Sequence, residues 1–396
     1  MQVTLDRTAP PLALEAPSSV ASGTRLATRL VFVDHLRVAL TVLVVVHHLA
    51  VIYGANAAFY YVEPPYNDPL AFVALTALVL VDQAFFMGLF FLISGYFVPA
   101  SFDRKGPRRY LQDRLLRLGV PLLVFVLVLN PIASIGIYQM PAEWTGVSGP
   151  FTWQQYPQLL GVGPMWFVEM LLIFDILYVA WRWLAGRRTS AVERKLQFPG
   201  FGVLAAFAVA LAVVSFALRV AVPLGLTVPV LGFPTLAYLP QYASFFVIGT
   251  LAARRDWFRL LPGRAGVFGI VVGVLATLVL FPLALNDAPA FVGGGHWQSA
   301  VYALWDSLFA VGISLALIVA FRRFFNQRSA SGEFLSRQAY AVYVIHVPIV
   351  VLLALALRAV QAESLFKFGL AAVIGVPLCF GAALAIRKLP LASRVF

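Results

Sequence analysis

The feature that most constrains this chain is a series of apolar runs, each close to the length that crosses a lipid hydrocarbon core. They fall at about 36–53, 70–98, 118–138, 162–183, 200–222, 233–252, 264–285, 299–320, 338–358 and 368–386. A core of ~30 Å needs about 20 consecutive apolar residues in a helix, since each residue advances ~1.5 Å. A soluble core would show short strands instead, or helices apolar on one side only. The chain is 61% hydrophobic and 12% charged, with mean hydropathy +0.88, whereas a soluble domain is roughly half apolar and about a quarter charged. Inside a bilayer each segment must satisfy its own backbone hydrogen bonds, so the runs predict helices. The expected fold is an all-α membrane protein with ten transmembrane helices.

The basic residues give these helices a direction. Every Lys and Arg except Arg219, Arg358 and Lys367 lies in the N-terminal region, the even-numbered loops or the C-terminus. The odd-numbered loops carry Glu63, Asp68, Glu143, Asp287 and Glu363 instead. Such alternation marks the basic loops as cytoplasmic and places both termini there. The net charge of +12 is thereby explained by membrane topology, with the lipid bilayer as partner and no nucleic acid required. Residues 1–30, rich in Pro, Ala and Ser, read as a flexible cytoplasmic tail, 31–390 as the ten-helix body and 391–396 as a cytoplasmic end. The single cysteine, Cys379, cannot form an internal disulfide, and no Cys/His spacing suggests a metal site.

An ionisable side chain inside a span costs about 2.5–3.5 kcal/mol on insertion scales, so each one is a candidate for function. His47, His48, Asp82, Glu169, Asp175, Asp306 and His346 qualify, although a polar residue in a span can equally serve as a packing hydrogen bond. The first run is the most informative. Arg37 and His48 are separated by three helical turns with only about 20° of drift, and Asp34 lies within about 60° of Arg37. The three therefore share one face, with His48 ~16 Å deeper than Arg37. A cation at the cytoplasmic edge beneath a buried imidazole suits an anionic donor entering from inside, with the imidazole as proton acceptor.

At this point the sequence resembles a family. Arg37 and His48, within Asp34-His35-Leu36-Arg37 and the His47-His48 pair, look like the first-span signature of the bacterial acyltransferase type 3 family. The second run closes on FFMGLFFLISGYF, ending in Ser94, Gly95 and Tyr96. The loop after it, RRYLQDRLLRLGVP, contains the pair Arg114 and Arg117, and SRQAYAVYVIHVP places Tyr340, Tyr343 and His346 in the ninth span. Together with GPMWFVEMLLIF, these segments are most similar to the glucans biosynthesis protein C branch. One departure is visible. Many members carry Trp-Ser-Leu followed by paired glutamates in the fourth span, whereas this chain has Trp166, Phe167, Val168 and Glu169.

The resemblance implies a multi-pass enzyme of the bacterial cytoplasmic membrane, its acyltransferase domain spanning 31–390. Such a protein moves an acyl group from cytoplasmic acyl-CoA to a hydroxyl, commonly of a carbohydrate, and holds no permanently bound cofactor. Arg114 and Arg117, three apart, are expected to hold the donor's phosphates, because a guanidinium can bind phosphate bidentately; as positive-inside anchors they would be equally placed. His48 is expected to act as general base and His346 to orient the acceptor or stabilise the oxyanion. Tyr340 and Tyr343 share the face of His346, and Asp34, Trp166, Glu169 and Asp306 complete the candidate substrate-binding set. Acetyl and succinyl donors both fit the motifs. The rival class is a secondary transporter or flippase, against which the chain shows no inverted repeat.

Overall fold

The computed structural model describes residues 30–63, 68–186, 198–227, 232, 236–390, 392 and 395. Apart from Leu30, the segment read as a tail lies outside them, as do Arg187, Arg188, Arg194 and Lys195 of the fourth loop and most of 391–396. Every regular element among the described residues is helical. The helices that cross the bundle are α1 (Val31–Tyr53), α2 (Pro69–Arg114), α3 (115–139), α4 (Trp166–Leu184) and α5 (Phe201–Ala221). They continue with α6 (Leu239–Arg254), α7 (Gly263–Ala284), α8 (Trp297–Phe324), α9 (Ala330–Leu357) and α10 (Ser364–Arg387).

Among the described residues nine helical segments are long and apolar enough to cross a membrane, and one of them, Pro69–Gln139, runs for 71 residues. Unbent, such a segment would reach about 107 Å, far beyond a core of ~30 Å. It contains two of the apolar runs, α2 and α3. The break between the two runs is Gly106, inside the last third of α2, at φ 74 and ψ 166 in otherwise helical backbone. This backbone region is open to glycine and strained for other residues, and Pro107 restarts the helix without needing an N–H partner. Nine segments thus make ten crossings.

α3 is irregularly wound, with π-helical turns at Leu115–Gly119 and Phe125–Leu129 and a 3-10 end at Ser134–Gln139. Its prolines account for part of this. Pro121 has no N–H to offer the carbonyl four residues back, and that carbonyl, of Arg117, accepts the Tyr340 hydroxyl at 2.8 Å. Pro131 likewise leaves the Leu127 carbonyl to the hydroxyl of Tyr156.

Side-chain contacts define two ends of the bundle. At the basic end Asp103 meets Arg182 of α4 at 3.1 Å and Arg254 of α6 at 3.7 Å. Arg322 of α8 donates to the carbonyls of Phe258, Arg259 and Leu261 after α6, and Arg387 of α10 reaches Gln338 of α9. At the opposite end Lys367 of α10 pairs with Glu63 after α1, and Arg358 after α9 bonds Gln139 of α3 at 3.0 Å. Successive helices therefore run in opposite directions, and α1 begins at the same end at which α10 finishes.

Close packing is achieved with small residues, as expected where lipid replaces the hydrophobic drive between helices. α2 and α6 cross at Gly95 and Gly249: a Cβ on either would lie 2.2 Å from a carbonyl oxygen of the other helix, Phe246 and Leu92 respectively. α7 and α8 cross in the same way at Gly269 and Gly312. The outward faces remain apolar and exposed, as at Val267, Leu278 and Val373, which suits contact with acyl chains. α1 is the innermost helix of the site, packed against α2, α9 and α10.

Candidate active site

The bundle brings His48 of α1 and His346 of α9 together. Nδ1 of His48 lies 2.8 Å from the Val44 carbonyl, one turn back, and Nδ1 of His346 lies 2.7 Å from the Tyr343 carbonyl. A carbonyl oxygen only accepts, so both Nδ1 atoms carry the ring proton. Nε2 of His346 is then an acceptor, and it lies 3.2 Å from Nδ1 of His48. The Nδ1–H of His48 is shared between Val44 and His346, and its Nε2 is left with an open lone pair. His346 is fully buried whereas His48 is half-buried, so the open imidazole is the one that faces a cavity.

Two cavities approach this pair from opposite ends. The first, about 430 Å³, opens at the basic end and is lined by Arg37, Arg114, Arg117, Arg337 and Arg387, with Tyr340 and Tyr343 on one wall. Ser94 of the Ser-Gly-aromatic segment also faces it. Five guanidinium groups thus gather around one space, with Asp34 and Arg114 both close enough to act on Arg37. Arg114 is fixed by Asp175 of α4 at 3.2 Å and lies 5.0 Å over the Tyr110 ring, while Tyr110 donates to Asp175 at 2.5 Å. The second cavity, about 350 Å³, is lined by His48, Phe59, Tyr60, Gly163, Pro164 and Trp166. It lies toward the opposite end. Its rim is braced: Tyr60 donates to Asn130 of α3, whose Nδ2 bonds the Leu159 carbonyl at 2.6 Å. Burial raises the Tyr60 phenol above its ordinary value, so it remains a donor. Gly163, at φ 42, is required there, because a Cβ would lie 2.1 Å from the Tyr60 oxygen.

The cavities meet at adjacent residues. Phe167 faces the first and Trp166 the second, and Tyr343, on the wall of the first, donates to Pro164 on the wall of the second. Thus Arg37, Arg114, Arg117, Tyr340 and Tyr343 surround one space, and His48 and Trp166 another, with His346 beneath. Two candidates stand apart. Asp306 of α8 pairs at 2.5 Å with Arg219 of α5, whose guanidinium lies 4.8 Å and 5.5 Å over the rings of Tyr238 and Tyr302. Glu169 is half-buried on the first turn of α4, with Oε2 shut from solvent and without a hydrogen-bond partner, and it lines neither cavity. His47 meets His48 edge-on at 5.3 Å between ring centroids, but is stacked on Phe86 with Nδ1 3.5 Å from Asp82 and lines neither cavity.

Sequence reasoning missed Arg337 and Arg387, which look like ordinary positive-inside residues, and Phe59, Tyr60 and Gly163, which sit in loops without periodicity. Asp175 gave a signal as an acid inside a span, but its partner Arg114 lies 61 positions away.

Comparison with known proteins identifies the family. The acyltransferase 3 profile, described as an acyltransferase domain, matches residues 30–387. The glucans biosynthesis protein C of Salmonella heidelberg (strain SL476) is 24% identical over 369 residues, covering 89% of this chain and 91% of that protein. Its counterpart in Escherichia coli O1:K1 / APEC is 24% identical over 341 residues, 82% of each chain. No solved structure matches. The profile covers the whole ten-helix body, from the start of α1 to the last residue of α10, and the chain therefore belongs to the acyltransferase 3 family of multi-pass membrane O-acyltransferases.

Proposed function

We propose that the arginine-lined cavity binds a cytoplasmic acyl-CoA and that His48 deprotonates an acceptor hydroxyl entering from the aromatic cavity. One observation carries this reading: the imidazole with the open Nε2 lines an aromatic space whose wall, at Pro164 and Trp166, adjoins the arginine-lined one at Tyr343 and Phe167. Five guanidinium groups around one cavity suit the diphosphate and 3′-phosphate of the donor. With the basic end cytoplasmic, in the bacterial inner membrane, the donor enters from below and the acceptor from above. Aromatic walls and a Tyr hydroxyl suit a carbohydrate, and the names of the glucan-related proteins point the same way.

The chemistry balances without any further reagent. Nε2 of His48 takes the hydroxyl proton as the oxygen attacks the thioester carbonyl. The carbon–sulfur bond breaks, and the imidazolium returns the proton to the departing thiolate, leaving an ester and free coenzyme A. His346 holds the tautomer that makes this possible and accepts from the Nδ1–H of the imidazolium, the role an orienting acceptor plays behind other histidine bases. Direct transfer needs no acyl-histidine and so fewer steps.

The test is transfer from labelled acetyl-CoA and succinyl-CoA by the purified protein to a panel of saccharides. His48→Ala is expected to lower turnover by about 10²–10⁴-fold while donor binding persists. Solute flux with no transfer from any acyl-CoA would sink the proposal and favour a transporter.

A further inference from the structure

A third cavity, about 510 Å³, opens at the end of the bundle opposite the arginines. It lies between the end of α1, the start of α2 and the loop joining α9 to α10, and the chemistry above does not use it. Its floor is built rather than incidental. Tyr53 is only 3% exposed, its hydroxyl has no hydrogen-bond partner, and it faces the cavity. Glu63 beside it gives one oxygen to the buried Lys367 and keeps Oε2 shut from solvent and unpartnered. Lys367 also lies 6.0 Å over the Tyr53 ring. Leaving a buried hydroxyl and a carboxylate oxygen unsatisfied is unfavourable, and a ligand bearing both donors and acceptors would relieve it.

The rest of the lining narrows the chemistry. Arg358, Gln361 and Glu363 form the rim, so the walls alternate carboxylate, cation, amide and phenol. A phosphate or carboxylate ligand would face Glu63, Asp68 and Glu363, with Lys367 committed to Glu63 and Arg358 bonded to Gln139. A neutral, hydroxyl-rich ligand fits all of these groups at once.

We infer that this cavity is a second saccharide site, holding sugar units of the acceptor chain beyond the one that reaches His48. This rests on the carbohydrate-acceptor reading above. His48 and Tyr53 are five residues apart on α1, about 7.5 Å along the axis and about 140° around it. The described part of the α1–α2 loop, 54–63, reaches both sites, with Phe59 and Tyr60 facing one and Glu63 the other. A monosaccharide can fill only one of them. An oligosaccharide passing over the loop can fill both.

The experiment measures binding of glucose and of linear glucose hexasaccharides of several linkages to full-length protein in nanodiscs, in wild type and in the inactive His48→Ala variant. At least one hexasaccharide is expected to bind ten-fold or more tighter than glucose in both backgrounds. Tyr53→Phe and Gln361→Ala, which leave the Glu63–Lys367 pair intact, are expected to reduce that advantage below three-fold while leaving glucose binding unchanged. Equal affinity for glucose and every hexasaccharide, or an advantage that survives both variants, overturns the inference. So does loss of phosphatidylethanolamine binding in those variants with saccharide binding untouched, which would make the site a lipid headgroup site. Because binding is read without turnover, failure of acyl transfer alone would reject the enzymatic reading and leave this result separate.

Discussion

At the residue scale the site depends on which nitrogen carries a proton. Val44 and Tyr343 fix both Nδ1 protons through backbone carbonyls, and His346 completes the arrangement by accepting from His48. His346→Leu removes that acceptor and is expected to lower kcat by on the order of 10²-fold with KM for the donor unchanged. His346→Gln, whose carboxamide oxygen can accept, should recover part of the loss in steady-state assays. An equal rise in donor KM would mean that His346 contacts the donor instead. Arg37 is a different kind of residue. A hydrogen bond to a charged group contributes about 1.5–3 kcal/mol, so Arg37→Ala should weaken acyl-CoA binding about ten- to hundred-fold, measured by titration. Wild-type affinity in that variant would remove Arg37 from the donor site.

At the element scale the helices meet through small residues and through buried ion pairs, of which Arg219–Asp306 is the most enclosed among the described residues. Gly95 in the Ser-Gly-aromatic segment touches the Phe246 carbonyl, while Ser94 faces the arginine cavity and Tyr96 bonds Asp256 at 3.2 Å and stacks on Phe258. The segment is thus a helix contact flanked by a cavity residue and an end anchor. Gly95→Ala is expected to cost about 1–3 kcal/mol, read as a lower unfolding midpoint in detergent. Asp306 and Arg219 are 2% and 1% exposed, so removing one partner strands the other. Asp306→Asn should destabilise by about 3–5 kcal/mol, and a paired Asp306→Leu and Arg219→Met change should restore much of it. If Asp306 instead served the substrate, its variant would fold normally and lose activity.

At the scale of the whole molecule the alternation of helices places the arginine cavity at one end and the two cavities proposed to take saccharide toward the other. Membrane orientation then decides which compartment each reaches. With the buried Cys379 replaced by alanine, Arg108→Cys should react with an impermeant maleimide only after cells are opened. Glu143→Cys, on the exposed one-turn helix Ala142–Thr145 at the far end, should react in intact cells. The reverse pattern would invert the proposed donor and acceptor sides.

Read alone, the sequence located ten membrane-length apolar runs, showed that basic residues gather in alternate loops and put Asp34, Arg37 and His48 on one stripe of α1, because run length, charge alternation and helical period are local properties. It also placed Arg114 with Arg117 and Tyr340 with Tyr343, each pair being three residues apart. Helical phase says which residues share a face, but not which helix that face meets. Only the tertiary structure decided that His346 accepts from His48 across 298 positions, that Arg337 and Arg387 join Arg37 at one cavity, and that Asp306 turns toward Arg219. Those outcomes depend on where glycines let helices approach and on which buried charges find partners, and both are settled by packing between distant segments.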